Sequence, residues 1–205
     1  MLKKISVVFL LLSMFCWNVP AFAQNTDRLL RFTVIAVTDD EEARREFETT
    51  LVSKLKASHY DVVPSHLLVS DIAEFQNKEV YQKLQNMGMQ GALLLMPVDV
   101  GEHATIKSAK RRVWSTTYDS IEAFVESYRG GDFDTQALVQ ATGFLITGDD
   151  EYNFWQGMIW LDDKVDSKEE GIEKLSGLVL SNLNASRGYL RQLLGFEPLS
   201  TRANF

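Results

Sequence analysis

Cysteine is nearly absent: Cys16 is the only one in 205 residues. That excludes a disulfide scaffold and a thiol-rich metal cluster within one chain. Proline and glycine are scarce, at 4 and 12 residues, while hydrophobic residues make up 45% and charged residues 24%. This balance excludes collagen-like architecture and long disorder, and it describes a folded domain. Positive charge is also short. Lys and Arg total 21 against 28 Asp and Glu, for a formal charge of -7, which disfavours broad nucleic-acid binding.

The motifs of common enzyme classes are missing as well. There is no GxSxG, no GxxxxGK(S/T), no HExxH, and no GxGxxG after the first strand pattern. Thr38-Asp39-Asp40 stands where the glycines of a dinucleotide-binding turn belong, and acids there repel a pyrophosphate. No two isolated carboxylates are paired as glycoside hydrolysis requires.

What is present begins with an address. Lys3 and Lys4 precede an apolar run from Ile5 to Trp17, followed by Pro20 and Ala21-Phe22-Ala23. The pattern predicts a signal peptide over residues 1–23, cleaved before Gln24. Its apolar core is shorter than the roughly 20 residues of a membrane-spanning helix. Cys16 follows the bulky Met14 and Phe15, unlike a lipidation signal, and leaves with the peptide. Removing 23 residues from 205 leaves 182, and losing Lys3 and Lys4 takes the charge from -7 to -9. The expected mature protein is cysteine-free, acidic, and periplasmic or secreted, with no transmembrane segment. It is held together by packing.

Along that chain two periodicities alternate. Leu30–Val37 reads as a strand. Asp40–Ser58 reads as a helix with Ala43, Phe47, Leu51 and Leu55 in one stripe and Val52 beside it. Thr38 or Asp39 is its expected cap, answered by Glu41 or Glu42. The pairs Glu41/Arg45 and Arg44/Glu48 are placed on its wet side. Tyr60–Val63 is a short strand ended by Pro64, Glu79–Met87 a helix closed by Gly88, and Ala92–Met96 a strand buried on both faces. The polar stretch 99–112 gives way to a strand-like pattern over Val113–Tyr118. Ile121, Phe124, Val125 and Tyr128 have helical spacing up to Gly130-Gly131. Ala137–Thr147 and Phe154–Leu161 read as a hairpin around a polar loop. Alternation puts Phe154, Gln156, Met158 and Trp160 on one face and Trp155, Gly157, Ile159 and Leu161 on the other. A last helix starts near Ser167, with Gly188 as a break point. The fold class is therefore α/β: one domain over 24–196, a mixed and mostly parallel sheet with flanking helices, and a late antiparallel hairpin. Residues 197–205 form a loose tail.

No catalytic residue is assigned and no cofactor is called for. The weak metal candidates are Asp39, Asp40 and Asp162, with helix capping the better account of the first two. His59, His66 and His103 lie in separate segments. The candidate partner-binding residues are the basic cluster Lys107, Lys110, Arg111 and Arg112, and the aromatic pair Trp155 and Trp160. Core packing is the competing account of the tryptophans.

Three stretches resemble a group of small bacterial envelope domains. These include the amino-terminal domain of the Tol-system beta-propeller protein and the outer-membrane activators of penicillin-binding proteins. Arg31–Thr38 is similar to their opening strand. Phe47–Val63, with Leu51, Leu55, Tyr60 and Val62-Val63, is similar to their helix and short strand. Phe144–Trp160 is similar to their late hairpin, with Trp155 starting the return strand. This chain departs from many of them in lacking a lipidation cysteine, which puts outer-membrane anchoring in doubt. The resemblance implies a non-catalytic module acting on an envelope protein. A small secreted hydrolase with a carboxylate- or metal-based site is the alternative, and a homodimer through the Trp155/Trp160 strand is a third reading.

Overall fold

A computed structural model describes residues 31–98, 117–131, 133, 138–147, 150–161 and 166–193, with side chains through 186. The signal segment, the basic cluster Lys107, Lys110, Arg111 and Arg112, the predicted strand start at 113–116, Asp162, and the tail 197–205 lie outside these residues.

The first strand, β1 (Arg31–Ala36), is rich in β-branched and aromatic residues. It lies between β2 (Asp61–Pro64) and β3 (Gly91–Val98) and pairs in parallel with both. β4 (Leu138–Thr147) joins β3 antiparallel, and β5 (Asp150–Trp160) joins β4 antiparallel. The order is β2-β1-β3-β4-β5. β5 therefore points the same way as β1, β2 and β3, and β4 alone runs against them. β3 occupies the centre and is buried from Gly91 to Pro97, as its apolar run predicts. β2 is short and ends on Pro64, which has no amide to offer a further strand.

Between β1 and β2 the chain crosses one face of the sheet as α1 (Glu41–Ala57). Its stripe of Ala43, Phe47, Leu51 and Leu55 is buried with Val52. The cap is Asp40, one residue later than expected, and its carboxylate accepts from the Glu42 and Ala43 amides at 3.0 Å. Ala43 occupies the position a capping-box acid needs, so no box forms. At the far end the Tyr60 amide donates to the Leu55 carbonyl and the His59 amide to that of Lys56, both at 3.0 Å. This is a Schellman closure with His59 in the left-handed position, at φ 65°.

From β2 to β3 the chain crosses the opposite face. It forms 3₁₀ turns at Ser65–Leu67 and Ile72–Gln76, then α2 (Glu79–Asn86). α2 closes with the same motif, but with Gly88 at φ 79° where α1 has histidine. α3 (Ile121–Glu126) covers that face too, burying Ile121, Phe124 and Val125, and the chain leaves it before Gly130 and Gly131, both at positive φ. α4 (Lys168–Leu193) lies beside α1. It continues through Gly188, since one glycine costs about 1 kcal/mol, too little to end a long helix.

Two cores result. One holds Val34, Leu95, Phe47, Leu51, Leu175 and Val179 between the sheet, α1 and α4. The other holds Ile35, Leu94, Phe75, Leu84, Phe124 and Phe144 on the opposite face. The hairpin is longer than its polar loop suggested, because Asp150–Asn153 already belong to β5. A bulge sets Gly143 opposite Trp155 and Phe144 opposite Asn153, leaving Phe154 as the extra residue. Phe154 consequently joins the α1/α4 core, stacking on Phe32 at 6.0 Å, instead of sharing a face with Gln156 and Met158. Gly143 permits this, since a Cβ there would stand 2.7 Å from the Phe154 ring. The molecule is thus one α/β domain with a mixed, mostly parallel sheet between helices and a late antiparallel hairpin.

Candidate functional site

In open α/β sheets ligands enter at the carboxyl ends of the strands, where adjacent connections leave to opposite faces. In the order β2-β1-β3 that switch lies between β1 and β3, and the chain that follows Val98 there lies outside the described residues. β1 leads to α1 on one face, and β2 leads to the 3₁₀ turns and α2 on the other. The side chains gathered next to it, at the carboxyl ends of β1 and β2, are Arg44, Glu48, Ser65 and His66.

Arg44 and Glu48 were placed on the wet side of α1 by their opposite charges. Both side chains are in fact fully buried, which corrects that expectation. β2 stops at Pro64, so the Ala36 amide on that side of β1 lacks a strand partner. Glu48 Oε1 accepts it at 3.0 Å. The same oxygen accepts from Ser65 Oγ at 2.6 Å and Arg44 Nε at 3.3 Å. Glu48 Oε2 accepts from the His66 amide at 2.9 Å and lies 2.8 Å from His66 Nδ1. A carboxylate has no proton to give, so Nδ1 carries the proton in this contact. Arg44 spends its remaining donors on Ser65 Oγ, the Val69 and Ser70 carbonyls, and Glu41. Each charge is therefore matched by several hydrogen bonds, the condition under which a buried ion pair is tolerated.

The charged groups near this cluster are also tied up. Asp40, already the cap of α1, accepts from Lys168 Nζ at 3.1 Å. The Ala43 amide and the Lys168 ammonium hold its carboxyl below the ordinary value, and Lys168 is raised in return by the bond to Asp40. Burial opposes ionisation of Glu41, but Arg45 and Arg44 outweigh it and hold that carboxyl low. Asp39 is exposed, and its amide donates to Tyr128 Oη at 3.4 Å. Capping thus accounts for Asp40. Among the described residues no three His, Asp or Glu side chains are grouped to hold a metal ion.

The other candidates are dispersed. Trp155 is 8% exposed in the α1/α4 core, and its Nε1 donates to Ser186 Oγ at 3.2 Å. Trp160 is half-buried on the opposite face beside Leu138 and Met158. His59 is an exposed helix-closing residue. Sequence reasoning missed the roles of Arg44, Glu48 and Ser65, and that of Glu151. Glu151 accepts the Ile121 amide at 2.6 Å and so caps α3 from β5. One signal was available for the first pair. Arg44, Glu48 and Val52 form their own row at intervals of four beside the apolar stripe.

Among the described residues no helix is long and apolar enough to cross a membrane. No family model and no curated protein matches the chain. Among solved structures it is similar to a dodecameric PelC variant from Paraburkholderia phytofirmans. The match is 14% identical, covers 76% of this chain and 90% of that one, and has a TM-score of 0.37. At that score the likeness assigns nothing to this chain.

Proposed function

We propose that the mature chain, exported by its signal segment, is a non-catalytic binding or assembly module acting on another component of the bacterial envelope. One observation supports this reading over a hydrolase. The buried polar cluster at the carboxyl ends of β1 and β2, formed by Arg44, Glu48 and Ser65, is spent on the fold, its polar groups satisfied by one another. Their chemistry is committed to holding β1, β2 and α1 together. The partner contact falls to the surface, and the basic cluster Lys107, Lys110, Arg111 and Arg112 is the reversal of charge in an otherwise acidic chain. Trp155 belongs to the core in this scheme, which leaves Trp160 as its aromatic candidate.

Crosslinking in intact cells, followed by identification of the captured protein, tests the reading. One envelope protein should be captured by the native chain and lost when the four basic residues are changed to Glu. Stoichiometric binding of calcium, magnesium or zinc, with a rise in Tm of several degrees, overturns the reading in favour of a metal-dependent hydrolase.

A further inference from the structure

Among the described residues, four polar side-chain atoms are sealed in the interior without a hydrogen-bond partner: Thr33 Oγ1, Gln140 Nε2, Thr142 Oγ1 and Ser176 Oγ. Ser176 belongs to α4, where a rotation about one bond brings a hydroxyl to the carbonyl one turn earlier. Thr33 stands apart on β1. Gln140 and Thr142 are different, because they are neighbours. Both lie on β4, two residues apart, so both side chains leave the sheet on one face.

The register identifies that face. On one flank Thr142 is opposite Leu94 and Gln140 is opposite Met96, and both β3 residues belong to the core beneath α2 and α3. On the other flank β5 sets Gln156 beside Thr142 and Met158 beside Gln140. Thr142 is fully buried and Gln140 is 1% exposed. From the end of α3, Ser127 Oγ reaches the Met96 sulfur at 3.7 Å and donates to the Phe124 carbonyl at 2.6 Å, so it does not serve Gln140. Buried polar groups are almost always matched, since an unmatched one forfeits the hydrogen bonds it made to water in the unfolded chain. Two unmatched side by side call for a shared partner.

We propose that Gln140 and Thr142 hold one internal water molecule between β4 and the layer of α2 and α3. Their Cα atoms stand about 7 Å apart along the strand. The two side chains make no direct bond, whereas a bridging water joins polar atoms up to about 6 Å apart. The chemistry of the pair selects water over an ion. The amide nitrogen only donates, and the hydroxyl both donates and accepts. A water accepts from the first and exchanges a bond of either sense with the second. It serves equally well if the amide is turned to present its oxygen. A metal ion needs several oxygen ligands, and the adjoining Leu94, Met96 and Met158 side chains supply none. The water would explain how a long polar side chain is accommodated near the middle of an apolar sheet face.

A high-resolution crystal structure of the mature chain tests this. A solvent peak should lie within about 3.2 Å of both the Gln140 amide and Thr142 Oγ1. The double replacement Gln140→Met with Thr142→Val removes both polar ends while keeping their shape, and the peak should vanish from its structure. A dry site in the native chain overturns the proposal, and so does a direct hydrogen bond between Gln140 and Thr142. Density for a molecule larger than water overturns it as well, as does a solvent peak that survives the double replacement.

Discussion

Among the described residues, Glu48 is the one on which the most backbone and side-chain donors converge. It completes β1 where β2 has ended, orients His66, and neutralises Arg44. Truncation to alanine leaves a buried guanidinium and the Ala36 amide unmatched. We expect Glu48→Ala to destabilise by about 3–5 kcal/mol in urea titration. The double replacement Arg44→Met with Glu48→Leu should cost less than Glu48→Ala alone, because no charge is left stranded. A loss below about 1 kcal/mol for Glu48→Ala would mean that water already reaches the pair. Sequence alone concealed this site for a physical reason. Opposite charges at i,i+4 on a helix have two stable settings, solvated on the outside or mutually satisfied within. Only the neighbouring backbone decides between them, and here the deciding group is an amide of another strand.

Among the elements, those legible in advance were the ones fixed by their own periodicity: the α1 stripe, the apolar β3 run and the late hairpin. Boundaries set by other parts of the chain were not legible. β5 begins at Asp150 because β4 offers ten residues of ladder. The Phe154 bulge depends on Gly143 across the strand. The two Schellman closures allow a direct comparison at this scale. α2 uses Gly88 and α1 uses His59 in the same backbone role. The exposed imidazole makes no described hydrogen bond, while its Cβ strains the left-handed turn. His59→Gly should therefore stabilise by about 0.5–1 kcal/mol and raise Tm by a few degrees. A fall in Tm would show that the His59 side chain makes a contact worth more than the strain.

At the scale of the whole molecule, acidity acts through contacts both between distant parts of the chain and within single turns. Asp40 is held low by the Ala43 amide and by Lys168 from the opposite end of the sequence, and Glu74 by Ser70 and the Asp71 amide. Depressed carboxyls contribute stability that is present above their unfolded values and lost as pH falls through the folded ones. Tm should accordingly drop steeply below about pH 4. Asp40→Asn keeps an acceptor for the α1 amides and removes the charge facing Lys168, so its Tm profile should be shallower in that range. An unchanged profile would take Asp40 out of the acid transition.

The contacts of α4 carry a consequence for the order in which this chain can acquire its structure. Lys168 reaches back 128 residues to Asp40, Lys54 pairs with Glu173 119 residues ahead, and Tyr60 meets Asn184 across 124. Every one of these closes more than half of the chain into a loop. A nascent or truncated polypeptide ending before Ser167 lacks the cover for one side of α1, whose Leu51 and Leu55 stripe shares its core with Leu175 and Val179. The earlier elements must wait with that greasy seam open until the final helix arrives. The interval before docking is when the chain is most exposed to chaperones, proteases and its own neighbours.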